Sequence, residues 1–292
     1  MQLVNNMRKI RRHKRKKQKK ILIISTLSLL MILTVGYAAF STNLSITAKG
    51  NIKEYTTEDY VTDGLFAFYD GIENTSSGHG APTDTWYNKA LDLNPTVATT
   101  AKSTLTGFNT SSWTNDNGLL FDGVDDMVDT GYLQEVLGQQ ITLSFTVYTT
   151  SNSPYRGYFG YHHATPQYVG LQLQFNYYGG PGYYGDGQVC YLTLDEEFVQ
   201  SNILNKKINI TVVIDTKNKL AVYINDKLIQ ETPCTNSFDP YPDVNFIIGK
   251  TYPTDDRYFE GTMYNFMVYK KALTEEEIKQ NYRVNKQRYW LE

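Results

Sequence analysis

A strict alternation of apolar and polar residues along several short segments constrains the fold of this chain more than any other feature. Residues 141–148 (ITLSFTVY) and 169–176 (VGLQLQFN) each carry an apolar side chain at every second position. A period of two is that of a β-strand with one buried face, whereas a helix repeats every 3.6 residues. We therefore expect a protein built mainly of β-strands.

The C-terminal part continues the same pattern. Residues 208–215 (INITVVID) and 219–226 (KLAVYIND) predict a hairpin, and residues 261–273 (GTMYNFMVYKKAL) predict a last strand. One short α-helix is predicted after that strand, because Thr274 and Glu277 have the spacing of a capping box. Many short strands without helical periodicity between them favour an all-β fold, an antiparallel two-sheet sandwich.

The N-terminus joins a basic run to an uncharged apolar segment. Residues 8–20 hold ten of the 28 Lys and Arg residues, and residues 21–40 hold no charged residue. A helix of twenty residues spans about 30 Å, the thickness of the bilayer's hydrocarbon core, and basic flanks stay in the cytoplasm. We expect residues 1–20 to be cytoplasmic, 21–40 to form a transmembrane anchor, 41–60 to form a stalk, and 61–292 to form an extracellular domain.

Two other interpretations of the N-terminus are nucleic-acid binding by the basic run and cleavage of the apolar segment as a signal peptide. Basic runs also bind nucleic acid, but this one abuts an apolar span and contains no aromatic residues, so we expect no nucleic-acid partner. Small residues around Ala38 also fit a signal peptidase site, and cleavage there would secrete the domain instead of leaving it on the cell membrane. The exported part would be acidic either way. All 30 acidic residues but only 18 of the basic ones follow residue 40, a formal charge of −12.

Two cysteines, Cys190 and Cys234, lie in the exported part. An oxidising compartment permits a disulfide between them, and closing this loop would stabilise the fold by roughly 4 kcal/mol on the chain-entropy model. Their spacing is not that of a zinc site. The sequence leaves open whether they pair.

Four segments resemble, in order, the landmarks of laminin-G-like jelly-roll domains of the concanavalin A type. They are DGLFAFYDGIENTSSGHG (63–80), GLLFDGVDDMVDTG (118–131), KNKLAVYINDKLI (217–229) and GTMYNFMVYKKALTEEEIKQNY (261–282). The export segment is similar to those of surface proteins from Gram-positive bacteria. The resemblance implies a jelly-roll sandwich with one concave sheet, which usually binds glycans or proteins and often holds calcium.

The acidic stretch 121–131 (FDGVDDMVDTG) is the candidate calcium site. Calcium needs six to eight oxygen ligands, and aspartates are a common source of them. Asp125 and Asp126 offer carboxylates, but Asp70, from an earlier strand, and Asp122 are the pair that we predict as metal ligands. The alternative is that these aspartates end strands and form turns at a solvated edge.

A tyrosine-rich region is the candidate glycan surface. Residues 155–191 hold nine of the 24 tyrosines, mixed with glycine and amide residues. Tyrosine offers a stiff contact surface with a polar tip, and amide side chains sharing one strand face would hydrogen-bond to sugar hydroxyls. The predicted ligand-binding residues are Tyr177, Tyr178, Tyr183, Tyr184, Gln172 and Gln174. The alternative is that tyrosine merely suits half-buried strands.

These features predict a surface-displayed or secreted module that binds carbohydrate, with calcium as an expected cofactor and without catalysis. The second hypothesis is a structural or adhesive surface protein that binds protein partners. A glycan-active hydrolase ranks third, because the E-x-D-x-x-E arrangement of concanavalin A-like glucanases is absent from the sequence. The neighbouring acids of LDEEF (194–198) point to opposite faces if they lie on a strand, so they cannot flank one bond.

Overall fold

The structure is a computed structural model. It describes residues 15–31, 53–163, 169–175, 181–184, 191–234, 243–251 and 256–291. The chain divides into two compact units, Met1–Glu54 and Tyr55–Glu292.

In the first unit, residues 15–31 form a helix, α1. Among the residues that the structure describes, no helix is both long and apolar enough to cross a membrane. The segment predicted to span the membrane, 21–40, continues past residue 31 into residues outside this description. The anchor therefore stays a prediction.

The second unit contains two antiparallel sheets of seven strands each. Sheet 1 has the spatial order β1 (Leu65–Asp70), β14 (Glu260–Tyr269), β5 (Gln140–Thr149), β10 (Lys207–Asp215), β11 (Lys219–Ile224) and β12 (Lys227–Pro233), and β3 (Leu119–Asp122) also pairs with β14. Sheet 2 has the order β2 (Thr104–Thr106), β4 (Met127–Leu133), β13 (Asn245–Ile248), β6 (Gly157–His163), β7 (Val169–Phe175), β8 (Pro181–Tyr184) and β9 (Tyr191–Thr193).

Within the described part of this unit, three helices accompany the sheets. They are α2 (Ala90–Leu93), α3 (Glu196–Asn202) and α4 (Glu275–Arg288). Short 3-10 turns occupy Thr57–Asp59, Thr110–Ser112 and Gln134–Leu137. The predicted all-β sandwich with a helix at its end is confirmed, and so is the hairpin, since β10 and β11 pair directly from Asp215 and Lys219 onward.

An aromatic core fills the space between the sheets. Phe145 on β5 stacks on Phe266 of β14 at 5.2 Å between ring centroids. The same ring contacts two residues of sheet 2, Tyr158 at 5.3 Å and Phe159 at 5.9 Å. The alternating apolar positions of β5 are fully buried here, as their period predicted.

Helix α4 covers the other face of sheet 1. The predicted capping box is present, because the Thr274 hydroxyl accepts from the N–H of Glu277 and the Glu277 carboxylate accepts from the N–H of Thr274. Ile278 and Val284 are buried against sheet residues such as Phe68. The outer face of this sheet is therefore covered as well as its inner face.

A buried polar layer sets the position of α4 on the sheet. Asn285 on the helix accepts from Nδ2 of Asn265 at 2.7 Å and from the hydroxyl of Tyr60 at 2.6 Å. Tyr60 and Tyr55, which the sequence assigns to a stalk, belong to this compact unit. Hydrogen bonds between buried polar groups require one geometry, so they define where the end of α4 lies.

Candidate functional site

A buried ion pair ties the last turn of α4 to β1. Arg288 lies 2.5 Å from Asp70, which also accepts hydrogen bonds from the Tyr289 hydroxyl and from the N–H of Ile72. Asp70 is fully buried. Burial raises the pKa of Asp70 above its ordinary value, although Arg288 and Tyr289 act in the opposite direction. The carboxylate oxygens of Asp70, which we predicted as metal ligands, thus bind Arg288 and Tyr289 within the fold.

The structure does not place Asp70 beside Asp122. Their register partners on β14 are five residues apart, which is about 16 Å at roughly 3.3 Å per residue. Instead, Asp122, Asp125 and Asp126 converge, each with an oxygen within 4.8 Å of the others. Within the described residues, this is the group of acids that could hold a metal ion.

The acidic group has features of both a turn and an ion site. Asp122 accepts from the N–H of Val124 and donates its own N–H to Asp126, both at 2.8 Å. Burial, together with the charges of Asp122 and Asp125, raises the pKa of Asp126 to about 6. Arg156 donates to the carbonyl of Gly123 at 2.9 Å. The carboxylates fit calcium in kind, but alone they supply only part of its six to eight ligands.

The predicted glycan surface lies largely outside what the structure describes. Tyr177 and Tyr178 fall outside the described residues, and Tyr183 and Tyr184 lie on β8, where only the backbone is described. Gln172 and Gln174 do share one face of β7, but they are only 1% and 4% exposed. They are register partners of Tyr184 and Gly182 on β8. Buried amides cannot form the open polar wall that the alternation predicted.

A different surface has the form of a ligand site. It is an open groove of about 1230 Å³ between the C-terminal end of α4, the start of β10 and the turn from β11 to β12. Its lining combines aromatic, amide and charged side chains: Asp116, Tyr148, Phe198, Asn202, Asn205, Lys206, Lys207, Ile208, Ile224, Asn225, Asp226, Lys227, Ile229, Tyr264, Tyr282, Lys286 and Trp290.

Trp290 is the most exposed aromatic residue of this groove. It follows Tyr289, the C-cap of α4, and has a φ of 59°. The N–H of Leu291 donates to the carbonyl of Lys286 at 3.0 Å, which closes a Schellman turn. Glycine usually occupies the left-handed position of this turn, and a bulky residue there is rare. Tyr289 and Leu291 are buried, whereas Trp290 is 84% exposed.

Three residues form a connected polar group within the groove. Nζ of Lys207 lies 2.9 Å from Oδ2 of Asp116 and 3.9 Å from the centroid of the Tyr264 ring. The Tyr264 hydroxyl donates to the same Asp116 oxygen at 2.8 Å. Burial alone would raise the pKa of Asp116. Hydrogen bonds from Lys207, Thr114 and Tyr264 outweigh burial and lower this pKa to about 2. The groove thus offers an acceptor that is ionised at neutral pH beside an aromatic ring.

Sequence reasoning missed this groove because its residues come from seven separate elements and connecting turns. Strand alternation does not show which ends of elements meet in space. One local signal was present in YWL (289–291), an aromatic-rich run directly after a capped helix. A tryptophan just past a helix end has no core position assigned by helical periodicity.

Comparison with solved structures relates the fold to three larger proteins. The receptor-binding domain of botulinum neurotoxin C/D mosaic serotype has a TM-score of 0.53 at 14% identity, over 76% of this chain and 52% of that one. The binding domain of botulinum neurotoxin DC in complex with SialylT has a TM-score of 0.52 at 12% identity, with the same coverage of 76% and 52%. Trypanosoma rangeli sialidase in complex with sialic acid has a TM-score of 0.51 at 16% identity, over 77% and 33%.

The chain spans about half the length of the toxin domains that it matches, and at these identities the likeness concerns the fold alone. No curated protein matches the sequence at a significant level. Residues 121–279, more than half of the chain, match the Laminin_G_3 family of the concanavalin A-like lectin/glucanases superfamily. The shared region runs from the second half of β3 to the fifth residue of α4, whereas Trp290 follows it. This chain therefore belongs to the concanavalin A-like lectin/glucanases superfamily.

Proposed function

We propose that this protein is a carbohydrate-binding module and that sugar rings bind in the groove at the end of α4. The observation that carries the proposal is Trp290, an indole 84% exposed at a position where glycine is usual. Strained residues persist where the surrounding structure holds them, and they cluster at ligand and active sites. An exposed indole beside hydrogen-bonding groups suits a sugar, whose C–H faces stack on aromatic rings while its hydroxyls need polar partners.

The superfamily and the solved structures support this proposal. One neighbouring toxin domain is described in complex with SialylT and the sialidase in complex with sialic acid. At about 1230 Å³, the groove is somewhat larger than small-ligand pockets of about 300 to 1,000 Å³, so it has room for an oligosaccharide.

The electrostatics of the groove support a non-catalytic role. Glycoside hydrolysis needs one carboxylic acid that is still protonated near neutral pH. Of the two acids that line the groove, Asp116 has a pKa of about 2, so it is ionised at neutral pH and cannot donate a proton. We therefore propose binding without hydrolysis.

The test is glycan-array binding of the 292-residue chain, followed by calorimetric titration of the sugars that bind. Trp290→Ala is expected to weaken binding up to about tenfold, because stacking on one aromatic ring is lost. Tyr183→Ala with Tyr184→Ala tests the tyrosine surface predicted from sequence and is expected to retain binding. Val136→Ala, an exposed apolar residue outside the groove and the acidic turn, is the control.

The reverse result, loss with the tyrosine pair and retention with Trp290→Ala, would move the site to the tyrosine surface. If no sugar binds but Trp290→Ala abolishes capture of another protein, the adhesive function takes first place.

We also propose that calcium binds at Asp122, Asp125 and Asp126. A cation would offset the mutual repulsion that helps raise the pKa of Asp126. Calcium is then expected to raise the melting temperature of the parent chain but not that of Asp125→Asn, whose side chain has no described hydrogen bond within the turn. Equal calcium shifts in both proteins would contradict this assignment.

We further propose that residues 21–40 hold the domain on the outer side of a membrane. The support is the uncharged run next to ten basic residues. The chain should remain in the membrane fraction after alkaline extraction, and externally added protease should reach the domain. Release of a form that begins near residue 39 would instead show cleavage after Ala38.

A further inference from the structure

We propose that the groove selects glycans that carry anionic groups, and that Lys227 and Lys286 recognise the charge. This inference rests on the proposed function and specifies the chemical class of its ligand. It arises from a contrast in charge. The part of the chain after residue 40 carries a formal charge of −12, whereas the groove is lined by four lysines and two aspartates.

Two of the four lysines are already engaged. Lys207 forms an ion pair with Asp116 at 2.9 Å, and the ammonium of Lys206 donates to the carbonyl of Ser201. The ion pair with Lys207 also neutralises the negative charge of Asp116. Asp226 is then the remaining acid of the groove lining.

Lys227 and Lys286 are the cations available to a ligand. Both are exposed, and within the described residues neither forms an ion pair. Lys227 is the first residue of β12, and Lys286 lies in the last turn of α4. The two ammonium groups therefore approach the groove from different elements.

The position of Lys286 connects charge with stacking. It lies four residues before Trp290, close to one helical turn, and its carbonyl accepts the hydrogen bond that closes the turn around Trp290. A sugar ring on the indole would place an acidic substituent within reach of a flexible lysine side chain. Lysine suits carboxylate and phosphate alike, because its ammonium acts as a point charge.

The test compares charged and neutral forms of the same ligand on the 292-residue chain. Probes are oligogalacturonate, its fully methyl-esterified form, and poly(glycerol phosphate), titrated at low and high salt. We expect oligogalacturonate to bind roughly three- to tenfold more tightly than the ester, a range consistent with two exposed ion pairs. The preference should shrink as salt increases.

Lys227→Gln with Lys286→Gln should abolish this preference, measured as the ratio of the affinities for oligogalacturonate and its ester. Lys102→Gln with Lys217→Gln is the control, since it removes the same charge from exposed lysines outside the groove. Preference for poly(glycerol phosphate) over oligogalacturonate, lost in the groove variant, would identify phosphate as the anion.

Equal affinity for oligogalacturonate and its ester would overturn the inference but leave the proposed function intact. An anion preference that both lysine variants lose equally would also overturn it, by showing a general charge effect. If none of the three probes binds, the inference fails, while Trp290-dependent binding of any neutral array sugar still supports the groove.

Discussion

Replacing Trp290 by glycine and by alanine separates the backbone strain at this position from its side-chain contacts. The residue has a φ of 59°, in the left-handed region. For an L-residue this conformation costs about 1–2 kcal/mol, and glycine does not incur that cost. Glycine loses about 0.4–1 kcal/mol more chain entropy on folding than alanine. The glycine variant should therefore be more stable than the alanine variant by about 1 kcal/mol.

The lost side-chain contacts are small and common to both variants. Trp290 is 84% exposed, so about one sixth of its surface is buried. A fully buried tryptophan removes up to ~250 Å² from water, so the loss is about 40 Å², or roughly 1 kcal/mol at ~25 cal/mol per Å². Trp290→Gly is then expected to be nearly neutral, and Trp290→Ala to be destabilised by about 1 kcal/mol.

The assay is urea unfolding of the parent and both variants, with thermal unfolding in parallel. For a domain of this size, 1 kcal/mol corresponds to a melting-temperature difference of about 2–4 °C. Both variants should lose sugar binding to the same extent, because both lack the indole. If the alanine variant is as stable as the glycine variant, the backbone of Trp290 is not held in the left-handed conformation. That result would also refute the view that backbone strain at Trp290 serves binding.

Three further predictions concern the rest of the second unit. Asp70→Asn leaves Arg288 without its buried partner and should lower the free energy of unfolding, measured in urea, by about 3–5 kcal/mol. Replacing both partners, Asp70→Leu with Arg288→Met, should recover much of that loss. A mild effect of Asp70→Asn would contradict a buried ion pair. Burial and neighbouring charges raise the pKa of Asp126 to about 6, so its stabilising contribution is complete below its unfolded pKa of about 3.9 and is lost as the pH rises through 6. Urea midpoints from pH 4 to 8 should show this loss in the parent but not in Asp126→Asn. If Cys190, which lies outside the described residues, pairs with Cys234, a thiol assay on the chain unfolded without reductant should detect no free thiol. Two free thiols in that assay would exclude the disulfide.

The sequence alone determined several elements of the fold. Strand alternation over 141–148 and 169–176 located β5 and β7, and the Thr274–Glu277 pair located the start of α4. These signals are local, because period and capping depend on residues within one or two turns of one another. The order of four segments also identified the superfamily.

Only the tertiary structure decided which polar residues face a ligand. Alternation placed Gln172 and Gln174 on one face but did not reveal that this face is buried. The neighbours of Asp70 come from a helix more than 200 residues away, which made it an ion-pair partner rather than a metal ligand. The groove forms where ends of distant elements meet, and Trp290 faces it because its buried neighbours, Tyr289 and Leu291, hold its backbone in a left-handed turn. Exposure and pairing depend on contacts between segments far apart in the chain, which a local pattern does not specify.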